Sequence, residues 1–206
     1  MRFMKNIFKN NLGMTLMELI VTTSIIAIMS TLYIANYRTY NSSGELDRVA
    51  HELANDIRLM QNYALGLKQY DPGSGPIIPA GWGIRMGNRP SGGENLEYRL
   101  YADRDGYLKY QHSQDGNAFR ELYKIIKFPS DIHVQEFDVD GNNDRYFYII
   151  YSPPDPQINI KRAGNDGVNF LNNSTVYNEA VITLKKGDDG PTIDIIINRY
   201  GLIDIN

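Results

Sequence analysis

Between Glu18 and Arg38 the chain carries no charge at all. As a helix rising about 1.5 Å per residue, LIVTTSIIAIMSTLYIANY spans roughly 28 Å, close to the ~30 Å hydrocarbon core of a bilayer. No other feature restricts the fold as much. Arg2, Lys5 and Lys9 precede the run with no acid among them, and no basic cluster directly follows it. That bias predicts a cytoplasmic N-terminus and a translocated C-terminal part. The single carboxylate at the start of the run, Glu18, needs a separate reason.

Three readings of the segment differ in what they ask of Glu18. A secretory signal peptide has a shorter apolar core of ~7–15 residues and a small-residue cleavage site after it, and YIANYRTYN supplies a poor one. A plain signal anchor fits the length but leaves Glu18 without a purpose. Cleavage before the run, after Gly13, creates a new α-amine on Met14, four residues from Glu18 and on the same helical face. The carboxylate then also lies near the positive end of the helix dipole. A carboxylate at mid-membrane costs about 2.5–3.5 kcal/mol, and less nearer the edge. An opposite charge at ~4 Å returns about 4 kcal/mol at an effective dielectric near 20. An amine of the same chain or of a neighbour therefore offsets the burial, which suits an apolar helix that packs beside copies of itself.

The stretch G-M-T-L-M-E-L-I-V resembles the processing site of type IV prepilins and type II secretion pseudopilins. In that family a short basic leader ends in Gly, the first mature residue is N-methylated, and a Glu stands at the fifth mature position before the apolar run. The resemblance implies cleavage between Gly13 and Met14, N-methylation of Met14, and Glu18 as the assembly carboxylate. It implies a leader at 1–13, a transmembrane and assembly helix at 14–38, an amphipathic continuation at 39–71, and a β-rich pilin domain at 72–206. Met14 replaces the usual Phe, and Ala35 stands where many major pilins carry a helix-kinking Pro. The implied partners are other pilin or pseudopilin subunits, a prepilin peptidase and methylase, an inner-membrane assembly platform, and membrane lipid before assembly. The implied location is the inner membrane in a single pass, then a periplasmic or extracellular filament.

Past the apolar run the helical period continues. Leu46, Val49, Ala50, Leu53, Ile57, Met60, Ala64 and Leu67 recur at i, i+3, i+4 and i+7 spacing, with Asp47, Arg48, Glu52, Asn55, Asp56 and Gln61 opposite. Ser42 and Glu45 are spaced like a capping box that loosens the junction, and Asp71-Pro72-Gly73 reads as the helix end. After residue 76 the period becomes two. Strands are expected at 80–86, 96–103, 106–111, 121–128, 132–139, 145–151, 178–186, 192–200 and 201–205. The fold class predicted is α+β and pilin-like: a long N-terminal helix on a meandering antiparallel sheet, with RYFYIIY as a central strand. LANDIRLMQNYAL, AGWGIRM and TIDIIINRYGLIDI, in that order, are similar to segments of the H-type minor pseudopilins and FimT-like minor pilins. The resemblance implies a minor, tip-proximal structural subunit.

Composition excludes several other classes. Cysteine is absent, so neither disulfides nor thiol chemistry contribute. Without its three leading cations the chain sets 18 basic residues against 24 acidic ones, which argues against binding nucleic acid through phosphate neutralisation. Lys161, Arg162 and Arg199 are too few for a phosphate-tracking patch. His51, His112 and His133 lack zinc-site spacing, and PGSGP lacks the strand-turn-helix setting of a nucleophile elbow. No catalytic residue and no cofactor is therefore expected. Asp138, Asp140, Asn142 and Asp144 alternate around a Gly like an oxygen-rich calcium loop, but the closing Glu of an EF-hand is missing. Asp-Gly-Asn between two strand runs reads first as a hairpin turn. The competing functional reading is a membrane-anchored binding module, for DNA uptake or a surface polymer, that does not build a filament.

Overall fold

The computed structural model describes residues 15–89, 93–108, 110, 121–143, 145–154, 158–163 and 177–206, apart from the side chains of 35–42, 94, 142 and 143. Helix α1 runs over Leu16–Leu65. The chain divides into two units, residues 1–41 and 42–206.

In the first unit α1 opens on a cap. The Glu18 backbone N–H donates to Thr15 Oγ1 at 3.2 Å, so Thr15 takes the N-cap position and Glu18 the third helical one. Leu16–Ile34 is apolar enough to cross a membrane, with a mean hydropathy of 1.7 and none of the segment buried. Four of its hydroxyls are turned inward. Thr22, Thr23, Ser24 and Thr31 each donate back to the carbonyl four residues earlier, at 2.8, 2.8, 2.7 and 2.8 Å. Every one of these polar protons is thus satisfied within the helix, as a bilayer requires.

In the second unit α1 buries the stripe that its spacing predicts: Leu46, Val49, Ala50, Leu53, Ile57, Met60 and Ala64, joined by Ala54. The backbone stays helical through Ser42–Glu45, so no cap breaks the junction. The Glu45 carboxylate instead takes the Lys186 ammonium at 2.5 Å. The helix also ends earlier than Asp71-Pro72-Gly73. Leu67 adopts a left-handed φ of 49°, Leu67 N–H donates to the Ala64 carbonyl and Lys68 N–H to that of Tyr63. These two bonds form a Schellman closure. Leu67 therefore leaves the stripe and is 51% exposed. Asp71 Oδ1 accepts the N–H groups of Gly73 and Gly75, so the expected stop is a turn of its own.

Among the described residues ten strands follow: β1 Gly81–Gly87, β2 Glu97–Asp103, β3 Leu122–Lys127, β4 Ile132–Val139, β5 Asn142–Asn143, β6 Tyr146–Tyr151, β7 Ile158–Ala163, β8 Glu179–Lys186, β9 Thr192–Asn198 and β10 Ile203–Ile205. They form two five-stranded sheets, β3-β2-β1-β6-β7 and β10-β9-β8-β4-β5, rather than one meander. Every pair is antiparallel. One core takes the α1 stripe together with Ile84, Leu100 and Ile149 of the first sheet and Phe137, Ile182 and Ile195 of the second. The YFYIIY run is an inner strand buried along its whole length. Phe147, Ile149 and Tyr151 face that core. Tyr146, Tyr148 and Ile150 join Tyr101, Tyr110 and Ala163 in a second, smaller cluster.

Two strand expectations fail. Residues 106–108 are not a strand, because Asp103 folds them into a turn, accepting the N–H groups of Gly106 and Leu108 at 3.0 Å each. β7 was not expected. Ile158, Ile160 and Ala163 are buried in it, but only three residues repeat the alternation before Lys161 and Arg162 interrupt the apolar pattern.

Candidate functional site

The candidate site is the N-terminal turn of α1. Gly13 and Met14, the implied scissile pair, lie outside the described residues. Glu18 is exposed on the first turn, near the positive end of the helix dipole, and residues 19–34 run on from it without a charge. Sequence reasoning paired Glu18 with an amine but missed Thr15. The T-x-x-E spacing of Thr15 and Glu18 is itself a capping signature. Such a surface can pack against lipid or against other helices, and it presents no constellation of nucleophile and base.

The oxygen-rich loop closes β4 onto β5. Asp140 and Gly141 both have positive φ, 49° and 81°, and Val139 pairs with Asn142 across them. This is the two-residue hairpin geometry that Asp-Gly favours. Asp140 Oδ2 and Oδ1 accept the N–H groups of Asn178 and Glu179, both at 3.1 Å. That carboxylate is a clamp on the start of β8. Asp138 is half-buried on β4. Asn142 contributes its backbone to β5, and Asp144 lies outside the described residues.

A second set of acids was not anticipated. Ligand oxygens of Asp103, Asp105 and Glu121 lie within 4.8 Å of one another, with Asp103 0% and Glu121 4% exposed. Burial pushes the Asp103 carboxyl up to about 6, helped by the neighbouring Asp105 and opposed by the Leu108 and Gly106 N–H groups. Those N–H groups explain its position: Asp103 anchors the 103–108 turn.

His51 lies 3.7 Å from Asp47 on the exposed helix face, His133 is on β4, and His112 lies outside the described residues. Arg162 and Arg199 stack on Tyr177 and Tyr200 at 5.5 and 5.4 Å. Burial lowers the Lys161 ammonium below its ordinary value.

No family model, no curated protein and no solved structure matches this chain.

Proposed function

We propose that this chain is a structural subunit of a prepilin-like filament, made with a leader, cut after Gly13, methylated on Met14 and assembled through the packing of α1. The observation that carries the reading is a bare apolar helix of 19 residues, Leu16–Ile34, whose capped first turn holds one carboxylate. A plain anchor needs no such group, since a carboxylate near hydrocarbon costs free energy unless a partner offsets it. A helix that packs beside copies of itself brings an amine to each carboxylate. The fold agrees in kind, because the chain has both an apolar N-terminal helix and a head of antiparallel sheets. In this reading the subunit waits in the inner membrane with its N-terminus cytoplasmic and its head outside. It then joins the filament as a minor, tip-proximal member.

The test is Glu18→Ala in the native host. Processing should continue while the subunit disappears from sheared filaments. Incorporation at the wild-type level would remove Glu18 as the assembly determinant.

A further inference from the structure

We infer that the outer edge of β3 is a docking site for an extended, acidic segment of a partner protein, which adds to the first sheet as a sixth strand. Among the described residues β3 is the terminal strand of its sheet. Phe128 N–H donates inward to the Leu96 carbonyl, whereas the Leu122 carbonyl points outward and accepts the Tyr70 hydroxyl at 3.0 Å. Counted back from Phe128, alternation turns the N–H and C=O groups of Ile125 and Lys127 outward, and the bulge opposite Leu100 and Tyr101 reverses the sense at Leu122. Among the described residues nothing bonds to them. The β10 edge of the other sheet is closed by contrast. At β10 the Arg58 guanidinium reaches the Ile203 carbonyl at 3.5 Å, and Asp204 Oδ1 takes the Ile205 N–H at 3.0 Å.

The side chains of the open edge specify the occupant. Tyr123 and Ile125 are 41% and 42% exposed, although solitary edge strands normally avoid bare apolar groups. Tyr123 stands edge-on to Trp82 at 5.4 Å and to Tyr63 of α1 at 5.9 Å, forming a firm aromatic shelf beside the strand. Lys68 lies 5.7 Å above the Tyr63 ring, and Lys124 and Lys127 flank Ile125. None of these three lysines has a carboxylate partner among the described residues, and no acid occurs from Leu122 to Ser130. Lysines alone would read as protection against edge pairing. Lysines set around exposed Tyr123 and Ile125, on a chain that is negative overall, fit a strand bearing both carboxylates and apolar residues. Main-chain bonds would supply affinity and the lysines selectivity.

The test uses the full chain in detergent micelles and a capped heptapeptide of sequence Glu-Val-Asp-Ile-Glu-Val-Asp. Micelles keep it independent of filament assembly, so its failure leaves the reading of α1 untouched. The expected result is slowed hydrogen exchange at the Ile125 and Lys127 amides, lost with a peptide carrying Pro at its centre. The double variant Lys124→Glu, Lys127→Glu should weaken binding by about tenfold or more, and should instead take the peptide with Lys in place of its acids. The inference is overturned if neither amide gains protection at millimolar peptide, or if the wild type binds the lysine peptide equally well. Protection that rises with protein concentration in the absence of peptide would also overturn it, by showing that a second copy occupies the edge.

Discussion

Lys186 Nζ lies 2.5 Å from Glu45 Oε2 and 3.3 Å from Asp131 Oδ2, so one ammonium joins α1, the end of β8 and the residue before β4. Glu45 directly precedes Leu46, the first buried residue of the helical stripe. The hydrogen bond to Glu45, aided by Asp131, holds the Lys186 pKa above its ordinary value. Lys186→Ala and Glu45→Gln should each lower the melting temperature, and the double variant should fall little further than either alone. For a lysine raised in the folded state the stabilisation is present at neutral pH and fades as pH climbs past about 10.4. Thermal melts across a double-mutant cycle at pH 7 and pH 11 measure both effects. Fully additive losses at pH 7 would contradict the clamp.

Two glycines should respond in opposite ways to alanine. A Cβ on Gly83 would meet the Tyr101 ring at 2.7 Å and the Ile149 carbonyl at 2.8 Å, inside a sheet that cannot give way. Gly83→Ala should cost on the order of 2 kcal/mol. A Cβ on Gly44 would meet nothing within 4 Å, in the middle of a helix. Gly44→Ala should stabilise the protein by about 1 kcal/mol. Urea midpoints of the two variants check the pair.

Asp103 makes stability depend on pH in an uncommon direction. Its carboxyl is held at about 6, above the 3.8 of an exposed one, chiefly by burial. The folded state therefore binds more protons than the unfolded state between pH 4 and pH 6, and stability falls as pH rises through that window. The loss should be on the order of 2 kcal/mol. Asp103→Asn, which keeps one carbonyl acceptor for the 103–108 turn, should flatten the dependence. Urea unfolding at pH 4.5, 5.5 and 6.5 reads it directly.

How far the sequence carried the fold depended on whether a signal was local. The 3.6-residue spacing from Leu46 to Ala64 and the full burial of YFYIIY were both legible, because periodicity and uniform apolarity are properties of single segments. The division into two sheets was not, since β1 pairs with β6 across more than fifty residues and alternation says nothing about partners. The helix stop was misplaced because Leu67, a bulky residue, takes the left-handed position usually given to Gly. At the candidate site Glu18 was conspicuous as a lone charge. Thr15 was not, because its role shows only once the helix start is fixed. Asp103 and Glu121 stood at the ends of two separate expected strands with Asp105 between them in sequence, and only the approach of β2 to the start of β3 gathers them.

In the proposed filament, Glu18 answers an amine created at Met14. Mass spectrometry of the N-terminal peptide, taken from the protein purified out of its own host, tests it most directly. The expected chain begins at N-methylated Met14. A chain that still begins at Met1, or that is cut at any other bond, would contradict it.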